Sequence, residues 1–231
     1  MPSTEEMVVK VAKALAESLG TPPRASLGDP VSGLVLAILS QNTNDKNRDR
    51  AFQGLRARFP SWEDVADAIP EDVEETIRVA GLSRVKSHRI VDCLKGLRGS
   101  GGGVSLEHLR NMSLEDAQRE LLSIPGVGIK TARCVLLFEL GLPAFPVDTH
   151  ILRVAKRLGW LPLEASAQRA HRDLQELVPP QLVHDLHVNL IHLGRTHCKP
   201  RSPRCGSCPI LQWCPTGQAS SGSKDAGIGK P

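Results

Sequence analysis

Four cysteines crowd one short segment late in the chain, spaced Cys198-x6-Cys205-x2-Cys208-x5-Cys214. Four thiolates held this close can bind a tetrahedral zinc ion or a cubane iron–sulfur cluster, and ligand type alone does not separate the two. The spacing leans toward iron–sulfur: structural zinc sites usually present two close cysteine pairs, and here only Cys205 and Cys208 form one. Between Cys198 and Cys205 runs Lys-Pro-Arg-Ser-Pro-Arg. Its two prolines stiffen the loop, and Lys199, Arg201 and Arg204 project from it without an acidic neighbour, a surface suited to phosphate or simply to water. Cys93 and Cys134 sit alone in apolar-periodic segments and read as small buried hydrophobes.

The second chemical feature is Ile124-Pro-Gly-Val-Gly-Ile-Lys130-Thr131. Gly126 and Gly128 predict a tight turn with positive φ and with N–H groups that no side chain obstructs. The turn opens onto a helix N-terminus, whose free N–H groups and positive dipole end suit a phosphate. The pattern looks like a helix–hairpin–helix, which grips a DNA backbone and positions without reading sequence; a plain turn between two helices is the blander reading. Lys130 falls in the first turn of the second helix, where the dipole disfavours an ammonium and lowers its pKa. A neutral lysine there is a nucleophile, and a charged one contacts phosphate; position alone allows both. Asp148, in Val147-Asp148-Thr149-His150, begins a helix after a proline-interrupted loop and reads first as an N-cap. It gains catalytic weight only beside Lys130.

The elements that must carry these groups are helical. Apolar spacing and cap signals predict helices over 5–19, 31–40, 45–58, 84–97, 114–122, 129–140, 148–158, 165–177 and 182–193. Short helices start at Ser61/Asp64 and Pro70/Glu71. No segment alternates over strand length. Gly99–Gly103 predicts a flexible loop, and the Gly/Ser-rich tail predicts disorder. The chain has 231 residues, 40% of them hydrophobic and 23% charged, which excludes a wholly disordered protein. Aromatics make up 3%, with no tyrosine, which argues against nucleic-acid modules that stack bases on aromatic platforms. The net charge of +4 does not by itself prove a polyanionic partner. The longest apolar run, Val31 to Leu39, falls short of the ~18 residues of a membrane span. Glu5 and Glu6 break any secretory signal, so the expectation is a soluble, cytoplasmic chain without a membrane partner.

Together and in this order, the three motifs resemble those of the endonuclease III family of DNA base-excision glycosylases, over about Val31 to Cys214. The resemblance implies an all-α, two-lobed fold. One lobe, residues 31–142, is a six-helix barrel carrying the hairpin. The other joins 1–30 to 143–214 around a 4Fe–4S cluster on Cys198, Cys205, Cys208 and Cys214, and 215–231 is left as a disordered tail. It further implies a monomeric, bifunctional DNA glycosylase/AP lyase acting on damaged pyrimidines or abasic sites in duplex DNA. Lys130 matches the family's nucleophile and Asp148 its essential aspartate. Gly126, Gly128, Lys199, Arg201 and Arg204 would meet phosphates. Leu82, in Gly81-Leu82, matches a residue that wedges into the base stack. The loop Ser40–Asp45 matches one whose glutamine fills the vacated space; here Asn42 takes that place, with Gln41 one position earlier. Ser83 stands where relatives often have an aromatic. These departures bear on the preferred base and leave the lysine chemistry intact. The alternatives are a mismatch uracil/thymine glycosylase of the same superfamily and a non-catalytic DNA-binding hairpin protein with a zinc module.

Overall fold

Side chains that accept hydrogen bonds from backbone N–H groups open most of the helices. Ser3, Asp29, Asn44, Ser61, Ser113, Asp148 and Ser166 each cap one, and Ser3 and Ser61 complete capping boxes with Glu6 and Asp64. The computed structural model describes residues 3–98 and 103–222. The glycine-rich stretch 99–102 and the last residues, 223–231, lie outside these. The chain divides into two units, one over Ala25–Leu142 and one joining Met1–Arg24 to Pro143–Pro231.

The continuous unit holds α2 (Pro30–Leu39), α3 (Asp45–Arg58), α4 (Trp62–Asp67), α5 (Pro70–Ile77), α6 (Ser83–Gly96), α7 (Leu114–Ser123) and α8 (Ile129–Phe138). Helix α2 is apolar on every side and forms the centre: Val31, Leu34, Val35, Ile38 and Leu39 are buried, with α3, α6 and α8 packed around them. Asp29 pins its start. The carboxylate accepts from Val31 N at 3.0 Å, Ser32 N at 3.1 Å and Ser32 Oγ at 2.6 Å, and from Trp62 Nε1 of α4 at 2.8 Å. Burial alone would raise its pKa, but the hydrogen bonds outweigh burial and hold the carboxyl below its usual range.

The discontinuous unit holds α1 (Thr4–Leu19), α9 (Thr149–Arg157), α10 (Ala167–Leu177), α11 (Val183–Thr196) and α12 (Pro215–Gly222). Val8, Val11, Ala12 and Leu15 form the buried stripe of α1, which packs on α10 and α11. Asn189 of α11 donates to Gly20 O at 3.2 Å. The loop ahead of Asp148 is tightly fixed. Gln175 brackets it, accepting from Phe145 N at 2.8 Å and donating to Pro143 O at 2.8 Å, while the His187 ring bonds Pro146 O at 3.0 Å.

The all-α expectation holds: among the described residues the only extended pairing is an isolated bridge between Arg98 and Val104. None of the described helices is long and apolar enough to cross a membrane. Three details differ from the sequence reading. Helix α8 stops at Phe138, and α11 continues to Thr196. Residues 215–222, expected in a disordered tail, form α12. Pro215 suits a first helical position, Gln218 N donates to Cys214 O at 3.0 Å, and the Gln218 side chain reaches Gln212 O at 2.7 Å.

Candidate functional site

The hairpin closes on two buried apolar residues, Ile124 and Val127, with Val127 N donating to Ile124 O at 3.1 Å. Its two glycines differ. Gly126 has φ 79°, and a Cβ built there would lie 2.8 Å from Arg89 Cγ. Gly128 has φ −92° and ψ 167°, with no heavy atom within 4 Å of a built Cβ. The expected positive φ is therefore confined to Gly126. At Gly128 the backbone is extended, and the missing side chain matters by leaving the mouth of α8 bare. No side chain caps α8. Lys130 is its second residue and half-buried; among the described residues no group forms a hydrogen bond or ion pair with its ammonium.

Two more loops of this unit carry predicted site residues. Asn42 is exposed in left-handed backbone at φ 52°. Leu82 is 58% exposed at φ 49°, immediately before α6, which also lacks a side-chain cap. Val85 lies one turn further on and is similarly exposed. Gln41 is half-buried, and its Oε1 accepts from Arg89 Nη1 at 2.6 Å. Sequence reasoning missed Arg89 and also Lys86, a buried lysine on the same helix. The available signal was a basic residue at Lys86 on the face that also carries Ile90, Cys93 and Leu94.

Asp148 belongs to the other unit. Its Oδ1 accepts from Ile151 N at 2.8 Å, so the cap is real. Among the described residues Oδ2 accepts nothing. The cap orients the carboxylate and leaves one oxygen available for chemistry. Two arginines of α9, unremarked in the sequence, bolt this helix to the cysteine segment. Arg153 donates to Cys198 O at 2.8 Å and Gly194 O at 2.9 Å, and lies 3.1 Å from His150 Nδ1. Arg157 donates to Cys198 Sγ at 3.2 Å, Lys199 O at 2.8 Å and Pro200 O at 3.1 Å.

Cys198, Cys205, Cys208 and Cys214 line one open pocket together with Arg157, His197 and Leu211. Burial raises the Cys208 and Cys214 thiols, and the crowding of the other cysteines adds to the effect. Gly217 N donates to Cys214 Sγ at 3.3 Å. Among the described residues no three cysteine, histidine or carboxylate side chains close down to the size of a single ion. Four thiols lining one pocket, with N–H donors on two of them, suit an iron–sulfur cluster. The basic loop is shaped by more than its prolines: Lys199 N and Arg204 N both donate to His197 O at 2.9 Å, and Ser202 turns at φ 49°. Arg201 and Arg204 are exposed, and Lys199 is half-buried.

Residues 35–180 match the family profile of the HhH-GPD superfamily base excision DNA repair proteins, and residues 198–214 match the iron-sulfur binding domain of endonuclease III. An Arabidopsis thaliana protein assigned to the DNA glycosylases is 41% identical over 171 residues, 73% of this chain and 58% of its own length. Endonuclease III of Thermotoga maritima is 34% identical over 186 residues, 80% of this chain and 83% of its own. A solved non-covalent endonuclease III–DNA complex superposes with a TM-score of 0.80 at 29% identity, over 96% of this chain and 99% of that one. The matched cysteine segment is the one on which endonuclease III carries its 4Fe–4S cluster. The chain belongs to the endonuclease III family of the HhH-GPD superfamily of base excision DNA repair proteins.

Proposed function

We propose that the chain is a bifunctional DNA glycosylase/AP lyase that removes oxidised pyrimidines from duplex DNA and cuts the strand by β-elimination, working as a monomer. The observation that carries this reading is Lys130, half-buried and without a partner among the described residues, in the first turn of α8 directly behind the hairpin. Lys130, the hairpin and the Asn42 and Leu82 loops belong to the continuous unit, and Asp148 and the cysteine segment to the other.

In this reading the bare amides at Gly126 and Gly128 hold a phosphate, and Leu82 enters the stack as the damaged nucleotide leaves it. The open oxygen of Asp148 stabilises positive charge developing on the sugar. The Lys130 amine attacks C1′, the bond from C1′ to the base nitrogen breaks, and the base departs with the electron pair and takes up a proton. The C1′–O4′ bond then breaks, the ring oxygen taking up the nitrogen's remaining proton, and the Schiff base so formed acidifies the C2′ hydrogen. Its removal expels the 3′ phosphate and cuts the strand. When bound, a 4Fe–4S cluster ties the four cysteines into one covalent hub and so fixes the basic loop between Cys198 and Cys205.

Borohydride trapping on duplexes bearing thymine glycol tests the reading. Wild-type protein should leave a reduced covalent adduct and Lys130→Gln none, with duplex binding retained because one cation among several contributes little to the phosphate term. Undiminished trapping by Lys130→Gln overturns the nucleophile. Faster release of uracil or thymine opposite guanine than of thymine glycol overturns the substrate and favours a mismatch enzyme.

A further inference from the structure

Left-handed backbone is costly for most residues with a Cβ, though asparagine tolerates it, and Asn42 and Leu82 both adopt it, one in each loop of the continuous unit read as inserting into DNA. Both loops converge on one buried group. Lys86, in the first turn of α6, is 2% exposed. Its Nζ donates to Leu39 O at 2.8 Å and Thr43 Oγ1 at 2.7 Å, on either side of Asn42, and to Ala80 O at 2.9 Å, two residues before Leu82. The Thr43 hydroxyl also donates to Ala80 O, closing the tie between the loops. The three donors of an ammonium meet three acceptors, all of them in or bordering those loops.

Packing alone does not call for this arrangement. A buried charge is expensive, and a methionine or leucine would fill the same space without it. Burial is the cause that pulls the Lys86 pKa down, to about 8, and no carboxylate from the surrounding elements joins its three neutral acceptors. What the lysine provides is a joint between loops that have no backbone pairing of their own.

We infer that Lys86 is a positioning residue, locking the Asn42 and Leu82 loops together so that both enter the duplex as one preset unit. The inference rests on the reading of these loops as the inserting elements. Extrusion of a paired base already costs unstacking, and loops that had to order themselves on contact would add to that cost. Arg89, one turn further along α6, extends the bracing by holding Gln41 and lying against Gly126.

The test compares borohydride trapping on two duplexes, one with a paired thymine glycol and one with a preformed abasic site, from which no base has to leave the stack. Lys130 performs the same attack on both. Small misplacements of working groups can cost about a hundredfold, so Lys86→Met should slow trapping on the thymine glycol duplex by about ten- to a hundredfold. Trapping on the abasic duplex should stay within about threefold. Thr43→Val, which removes one acceptor and keeps the ammonium, should shift the ratio in the same direction by less, and it carries the test if Lys86→Met fails to fold. Fluorescence of 2-aminopurine beside the lesion should lose its extrusion signal in step. Equal slowing on both duplexes, or none on either, overturns the inference. A wild type that traps on neither duplex, or a Leu82→Ala variant with undiminished extrusion, instead refutes the functional reading beneath it.

Discussion

Alanine at Gly126 and alanine at Gly128 should have opposite consequences, although the residues lie two apart in one turn. At Gly126 the new Cβ is forced into left-handed backbone, at a cost of about 1–2 kcal/mol, less about 0.4–1 kcal/mol because alanine restricts the unfolded chain. It also lies 2.8 Å from Arg89 Cγ. Arg89 must swing aside, and its 2.6 Å bond to Gln41 breaks with it, adding about 0.5–1.5 kcal/mol. The sum is a destabilisation of about 0.5–3 kcal/mol. Gly128→Ala meets no atom within 4 Å and no strain at φ −92°. Alanine is a poorer cap than glycine by up to about 1 kcal/mol, and its unfolded-state benefit is of similar size, leaving a net change within about 0.5 kcal/mol. Its methyl nevertheless covers the approach to the α8 amides, so affinity for damaged and undamaged duplex should fall by the same factor. Urea unfolding paired with binding isotherms on both duplexes reads all four numbers. A Gly126→Ala protein with the wild-type midpoint, or a Gly128→Ala protein destabilised by more than about 1 kcal/mol, refutes the assignment of strain to one glycine and access to the other.

Asp148→Asn should keep the unfolding midpoint, since asparagine caps as well as aspartate, while base release falls by about a hundredfold or more; unfolding without selective loss of turnover would reduce Asp148 to a cap. Alanine at Lys199, Arg201 or Arg204 should change stability by no more than about 0.5 kcal/mol and lower the slope of log affinity against log salt by about 0.9 per lost phosphate contact. Wild-type slopes in all three would make the loop a solvated face. The Asp29 carboxyl, held below its usual range, contributes stability that is fully present above the unfolded pKa of about 3.9 and lost as pH falls through the folded value. Asp29→Asn should therefore lower stability at pH 7 and flatten the acid limb of urea midpoints below about pH 4; an unchanged limb refutes the role of these hydrogen bonds.

What was legible in the sequence was local. Asp29 and Pro30, Asn44 before Asp45, and Ser61 with Asp64 mark helix starts because each cap reaches only two or three residues along the chain. Asp148 was legible as a cap, while its proposed chemistry came from the resemblance. The two readings looked like rivals only because a sequence does not show that a carboxylate can spend one oxygen on each. Lys86 was hard to read for the converse reason: the apolar face it shares with Ile90, Cys93 and Leu94 marks it for burial, but its acceptors include a carbonyl 47 residues away. Arg153 and Arg157 likewise answer to carbonyls 41 to 45 residues distant. The contrast between Gly126 and Gly128 needed φ values, since both are simply glycine in a turn. Helix α12 was hidden by its Gly/Ser composition, which outweighed the single local cue of Pro215.

The discontinuous unit also sets an order of assembly. Gly20 and Asn189, which share a hydrogen bond, are 169 residues apart. At roughly 5–20 residues per second of synthesis, on the order of ten to thirty seconds separate the emergence of α1 from that of its partner α11. Until α10 and α11 emerge the Val8, Val11, Ala12 and Leu15 stripe has no native surface to cover it, whereas everything Ala25–Leu142 requires emerges before either of them. The nascent chain thus carries a finished middle domain beside an orphaned greasy helix. A truncation or ribosome stall before α11 exposes that helix to chaperones and to aggregation, without unfolding the hairpin.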